Sequence, residues 1–159
     1  MTVSPIPPGC NSVNAYLIMK DTKKAMDFYC IAFGGQVTAC LEAPNGSVMH
    51  GEVKIGNSTI MLSQENPDWQ MLSAETLGAS PASLHFYTDD CDAVFHHAIE
   101  AGCIEISPLM DAFWGDRYGK VQDPFGYQWG IATHKEELTM EELQRRGEDW
   151  FRQIGMAVE

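Results

Sequence analysis

The feature that most limits what this chain can become is an internal echo. Asp21 to Gly34 reads DTKKAMDFYCIAFG, and 68 positions later Asp89 to Gly102 reads DDCDAVFHHAIEAG. Asp21 aligns with Asp89, Ala25 with Ala93, Ile31 with Ile99 and Gly34 with Gly102. Each segment opens on a carboxylate able to accept from the orphan amides of a first helical turn. Each closes on a glycine suited to a left-handed C-cap. A helix repeated with its caps at this spacing implies two copies of one supersecondary unit.

The flanking residues show what the unit is. Ser12 to Lys20 (SVNAYLIMK) reads as a strand before the first helix. Three strands follow, Gln36 to Ala43, Ser47 to Ile55 and Ser58 to Gln64, punctuated by Pro44-Asn45-Gly46 and Gly56-Asn57. In the second copy Ala82 to Thr88 precedes the helix. Strands near Ile104 to Leu109, Phe113 to Gln122 and Tyr127 to Thr133 follow, the last two joined by Asp123-Pro124-Phe125-Gly126. The sequence therefore predicts α+β architecture in tandem βαβββ modules, 12–64 and 82–134, with a connector at 65–81 rich in turn formers. Thr139-x-x-Glu142 is a capping box, and Leu143, Trp150, Phe151 and Ile154 share a stripe, so 139–155 reads as a C-terminal amphipathic helix, packed on its own domain or clasping a second copy.

Composition narrows the partners. With 159 residues and 45% hydrophobic content, the two modules form a single domain with one shared core. The net charge of −12 repels phosphate backbones and anionic headgroups, which excludes nucleic acid and membrane surfaces as natural partners. Five cysteines, none in a C-x-x-C pair, suggest neither a disulfide framework nor a thiolate zinc site. No apolar run approaches the roughly 18 residues of a membrane span, and MTVSPIPPGCNS lacks the pattern of a signal peptide. A cytoplasmic location is the expectation.

The tandem modules, the segment KKAMDFYCIAFGG and the terminal hairpin KVQDPFGYQWGI resemble the vicinal oxygen chelate superfamily of glyoxalase I and bleomycin-resistance proteins. MHGEVKIGNSTIMLS and FWGDRYGKVQDPFGYQWGI resemble more narrowly its PhnB-like branch. The resemblance implies a cup-shaped mixed sheet, the glyoxalase/bleomycin-resistance fold, with helices on its convex side and a small-molecule pocket inside. It also implies four strand positions that hold a divalent cation in metal-dependent members. Here those positions fall on Asn14, Met61, Ser83 and Gly130. None is an imidazole or a carboxylate, which such cations prefer. The expectation is therefore no cofactor, with a divalent metal at a displaced site as the alternative.

Strand alternation indicates what lines the cup. Asn14, Tyr16 and Ile18 share one face of the first strand, and Ser83, His85 and Tyr87 one face of the fifth. The Gly56-Asn57 turn sets Glu52 opposite Met61 and His50 opposite Ser63, and Gln128 and Gly130 face the cup from the last strand. A bulge at the four-residue turn would leave the faces of Trp114, Asp116, Arg117 and Tyr118 unassigned. The candidate ligand-binding residues are Asn14, Tyr16, His50, Glu52, Ser83, His85, Trp114, Arg117 and Gln128. Trp114 offers a stacking surface and Arg117 a fork for a carboxylate or phosphonate, although either could anchor a dimer.

His50 and Glu52 are also the catalytic candidates, since a carboxylate beside an imidazole fixes its tautomer and raises its pKa. Equally, the two could simply satisfy each other. His96, His97 and His134 read as surface or packing residues. The leading expectation is a protein that binds a small organic molecule in the cup as a homodimer, without the superfamily metal. Two alternatives stand beside it: a metal-dependent lyase or dioxygenase using His50, Glu52 and His85, and a protein that sequesters an antibiotic or toxin. Whether the molecule is turned over stays open at this level.

Overall fold

The computed structural model describes residues 3–155. In the first module β1 (Ala15–Met19) leads into α1 (Thr22–Phe33), then β2 (Gln36–Glu42), β3 (Val48–Ile55) and β4 (Ser58–Gln64). After a 3₁₀ turn at Pro67–Trp69 and a one-turn helix α2 (Ala74–Leu77), the second module repeats the order: β5 (Ser83–Tyr87), α3 (Cys91–Ala101), β6 (Ile104–Asp111), β7 (Asp116–Gln122) and β8 (Gln128–His134). α4 (Met140–Gln153) follows. The connector thus carries local structure that its turn-rich composition did not announce. Glu65 organises it by accepting from the Ser73 amide and from the Ser73 and Thr76 hydroxyls, bonds that hold its carboxyl below the usual range.

The caps work as the repeat implied, with one shift. Asp21 accepts from the Lys24 amide, and Gly34 closes α1 at φ 64°. In the second module the cap is Asp90 rather than Asp89; its side chain accepts from Ala93, so α3 starts one residue later and runs 11 residues against 12. Either aspartate of that pair has the required short acceptor, and composition alone does not choose between them. α4 begins on Thr139, whose hydroxyl accepts from the Glu142 amide.

Each module forms its own four-stranded sheet, ordered β1-β4-β3-β2 and β5-β8-β7-β6, with the first strand parallel to the fourth and the rest antiparallel. Among the described residues no ladder joins the two sheets, so β1 and β5 are both edge strands. The β3–β4 register is the one the Gly56-Asn57 turn dictates, with Val53 opposite Ile60 and Glu52 opposite Met61. The last hairpin carries no bulge: Asp116 pairs with His134 and Gln122 with Gln128 without interruption. Bulges fall instead between the outer strands, in β2–β3 and β6–β7.

Alternation places the core. Leu17, Met19, Val53, Leu62, Val121, Trp129 and Ile131 point toward the helices and are buried, and with residues of α1 and α3 they form one contiguous cluster across both modules. α1 and α3 pack on each other, and His97 Nε2 lies 2.8 Å from the Ile31 carbonyl oxygen. The helix-facing sides of both sheets therefore share a core, and the helix-free sides remain exposed: Tyr16 is 46% and Tyr87 58% accessible.

The centre of this core is polar. Asp123, 2% exposed, accepts at Oδ2 from the Tyr29 hydroxyl (2.8 Å) and Trp129 Nε1 (3.0 Å), and at Oδ1 from the Phe125 and Tyr127 amides (2.9 Å each). Burial pushes this carboxyl up, and the four donors oppose that by favouring its charged form. The Tyr127 hydroxyl adds a second tie, donating to the Ile18 carbonyl of β1 at 2.8 Å. Replacing Asp123 with Ala orphans four buried donors and is expected to cost about 3–5 kcal/mol in urea unfolding; Tyr29→Phe, which removes one bond, should cost about 1 kcal/mol.

Candidate functional site

The helix-free face of the first sheet carries Tyr16 on β1, His50 and Glu52 on β3 and Met61 on β4. Successive strand residues alternate faces, so their neighbours Leu17, Val53 and Leu62 belong to the core. His50 Nε2 lies 3.1 Å from Glu52 Oε1, and Thr38 donates to Glu52 Oε2 at 3.4 Å. Both members of the pair are partly open, with side chains 33% and 25% exposed, and the Tyr16 ring tilts over His50 at 6.0 Å. Asn14 lies just before β1, where its side chain accepts from the Asn11 amide and donates to the Asn11 carbonyl. Ser63 is 3% exposed, and its hydroxyl has no hydrogen-bond partner among the described residues.

The second sheet presents an aromatic floor. Ser83 and Gln128 are register partners, as are His85 and Gly130. The His85 ring lies nearly parallel to Tyr118 (5.7 Å, 14°) and 4.7 Å from Tyr87, while Trp114 meets Tyr118 edge-on at 5.3 Å. Gly130 permits this packing, because a Cβ there would come within 2.9 Å of the Tyr118 ring and 3.1 Å of His85 Nδ1. Trp114 precedes β7, which starts at Asp116 rather than Phe113. Gly115 turns the chain there at φ 94°, where a Cβ would strike the Glu136 carbonyl oxygen at 2.8 Å.

Arg117 does not join this floor. In the unbulged hairpin Asp116 and Tyr118 take the helix-free face and Arg117 the opposite one. There it forks onto Asp92 of α3, Nε to Oδ2 at 3.0 Å and Nη2 to Oδ1 at 2.9 Å, and its guanidinium lowers the Asp92 carboxyl. The proposed grip on a ligand carboxylate or phosphonate is thus replaced by an intramolecular one. Eight of the nine candidates divide between the two sheets, Asn14, Tyr16, His50 and Glu52 with the first and Ser83, His85, Trp114 and Gln128 with the second; Asn14, Ser83 and His85 border one shared recess of about 600 Å3, and Arg117, although on β7, points to the opposite face.

At the end of the second floor lies a polar centre that residue-by-residue reading left out. Asp116, with a side chain 2% exposed, accepts from the Tyr87 hydroxyl (3.0 Å) and Trp114 Nε1 (2.9 Å) at Oδ2, while Oδ1 lies 2.8 Å from His134 Nδ1. An aspartate carboxylate only accepts, so His134 Nδ1 carries a hydrogen and donates as the other two partners do. Its bond to Asp116, with the nearby Glu137, raises the His134 pKa, and the Tyr87 hydroxyl is raised by burial and by Asp116. The signal for this cluster is the parity of the last hairpin: read without a bulge, Gln128, Gly130, Ala132 and His134 share a face.

The residues at the four implied metal positions do not fit such an ion. The Asn14 amide is committed to Asn11, Gly130 is covered by aromatic rings, and Met61 and Ser83 offer weak donors. Of the displaced set, His50 and Glu52 are adjacent, but His85 belongs to the other sheet. Among the described residues no group of three His, Cys, Asp or Glu side chains is placed to hold a cation.

The His134–Asp116 pair has a pH signature. A raised histidine pKa contributes stability that is fully present below about pH 6.5 and is lost as pH climbs through the folded-state value. Urea midpoints measured across this window should show that component, and His134→Gln should abolish it.

A family model described as the Glyoxalase/Bleomycin resistance protein/Dioxygenase superfamily matches residues 11–131. An uncharacterized protein of Mycobacterium bovis is 33% identical over 136 residues, covering 84% of this chain and 90% of that protein. Among solved structures, the fold is similar to that of TnmS3, an antibiotic binding protein from Streptomyces sp. CB03234, with a TM-score of 0.61 and 23% identity over 85% of this chain and 99% of that one. It is also similar to a PhnB protein from Bacillus cereus, with a TM-score of 0.59 and 13% identity over 77% and 99% of the two chains. With two βαβββ modules, matched capping and a family match over most of its length, the chain belongs to the glyoxalase/bleomycin resistance/dioxygenase superfamily.

Proposed function

We propose that this protein binds a small, largely uncharged aromatic molecule against the helix-free faces of its sheets, and does so without the superfamily's metal. The observation that carries the reading is the floor of His85, Tyr87, Tyr118 and Trp114, which offers ring faces for stacking between Lys120 on one side and the Asp116–His134 pair on the other. The composition of the four vacated ligand positions supports the metal-independent form. The likeness to TnmS3, an antibiotic binding protein, supports sequestration as the biological use. The likeness to a PhnB protein and the sequence motifs support the narrower PhnB-like branch. Odd, unpaired cysteines support a cytoplasmic setting. The rival metal-dependent lyase or dioxygenase has only the His50–Glu52 contact in its favour.

The working form in this reading is a homodimer. β1 and β5 are unpaired edges, and Val37, Leu41, Met49, Ile104 and Ile106 expose apolar surface on or beside the sheets. A second copy would cover both and would turn two open faces into enclosed cups. Light scattering should give twice the 17.7 kDa chain mass; a monomer at micromolar concentration would contradict this form.

Binding is tested by thermal denaturation with a panel of fused-ring aromatics. A ligand should raise the midpoint in proportion to the logarithm of its excess over Kd, with no product formed. Metal analysis of protein purified without chelator should find well under one transition metal per chain. A stoichiometric metal lost on His50→Ala would overturn the metal-independent form.

A further inference from the structure

Asp116 and His134 pair where the two central strands of the second sheet, β7 and β8, begin and end. A carboxylate this deeply buried is costly unless its donors are fixed, and here Tyr87, Trp114 and His134 are all held on it at 2.8–3.0 Å. The imidazole itself is half exposed and lines a recess of about 380 Å3 with Tyr87, Thr88, Asp89 and Thr133. With Nδ1 committed as a donor to Asp116, Nε2 is the ring atom left to accept; Glu137, whose side chain is 96% exposed, lies beside it and must turn outward to admit a ligand hydroxyl. This recess borders the aromatic floor, since Tyr87 belongs to both.

We infer that His134 Nε2 is a recognition site for a weakly acidic hydroxyl, phenolic or enolic, on the aromatic ligand, with Asp116 as the positioning residue that fixes its tautomer. The surroundings select against an anion. Asp116 faces the ring from β7, Glu137 Oε1 lies 3.3 Å from Nε2, Asp89 lines the recess, and the Tyr87 hydroxyl is turned to Asp116. Three carboxylates around one imidazole leave the recess net negative, so a carboxylate or phosphate ligand is repelled and a neutral O–H donor is not. The contact requires the neutral imidazole, so the preference for a hydroxyl is present above the His134 pKa and lost below it. When protonated, Nε2 donates to Glu137 instead.

The inference rests on the aromatic-binding reading, and the probe pair 2-naphthol and 2-methoxynaphthalene separates the two. Affinities are measured by fluorescence for the wild type and His134→Ala at about pH 8.5 and about pH 5.5. Relative to His134→Ala, the wild type should favour the naphthol over its ether by roughly five- to tenfold at the higher pH and not at the lower, as one hydrogen bond allows. The ether should bind both proteins within about twofold. In ¹⁵N-detected spectra the neutral ring should carry its hydrogen on Nδ1, and Asp116→Asn should lower the His134 pKa and mix the tautomers. His134 is half exposed, so His134→Ala keeps the test available if Asp116→Asn fails to fold. Binding of both probes with no change in their ratio between wild type and His134→Ala overturns this inference alone. Failure of the wild type to bind either probe overturns the aromatic reading and this inference with it.

Discussion

One buried carboxylate ties the two halves of this protein together. Asp123 belongs to the β7–β8 turn of the second module, yet one of its four donors is Tyr29 of α1 in the first. Its position makes geometric demands on everything around it. The Trp129 indole must lie beside Tyr29, and does so at 5.2 Å between centroids, while Phe125 packs edge-on against Tyr29 and Phe28. The Tyr127 hydroxyl must reach the β1 backbone. An apolar core tolerates sliding, but a charge that has left water does not, because each misplaced donor costs most of a hydrogen bond plus the desolvation already incurred. The hydrophobic cluster supplies most of the driving force, and Asp123 specifies one arrangement of the two modules.

That arrangement decides what is left for function. Once the helix-bearing sides of both sheets are joined in a common core, the opposite sides face outward with their alternate residues exposed. The first sheet offers a small acid–imidazole pair under Tyr16, and the second a broader aromatic floor ending in the Asp116 cluster. The side chains on both faces supply stacking area plus a few directed polar atoms, the usual make-up of a small-molecule site. Arg117 illustrates how one-residue parity divides these roles: it is adjacent in sequence to Asp116 and Tyr118, yet serves to lock β7 to α3.

Much of this was legible in the chain. The paired caps and the 68-residue echo reveal the modules, and the two-residue Gly56-Asn57 turn fixes Glu52 against Met61 because a tight turn leaves no slack in register. The placement of Tyr16, His50, Glu52, His85 and Gln128 follows from alternation alone. What escaped was governed by contacts distant in sequence or by backbone detail. A bulge in the last hairpin is a reasonable expectation for its length, but amide bonds to Asp123 close that turn regularly, and the absence of a bulge moves Arg117 off the face and puts Asp116 and His134 on it. His134 looks bland in sequence because its partner lies 18 residues away on a neighbouring strand. Asn14 faces the right way by parity but sits before the strand, tied to Asn11.

The central claim is that small aromatic molecules dock on the helix-free faces that Asp123 and the shared core leave exposed. Backbone and aromatic chemical-shift mapping with 2-naphthol tests it most directly. The account predicts that the largest shifts fall on His85, Tyr87, Tyr118 and Gly130, with Tyr16 and His50 affected if the first sheet contributes. Shifts confined to the shallow groove between Phe113 and α4, around Leu143, Gly147 and Phe151, would contradict it.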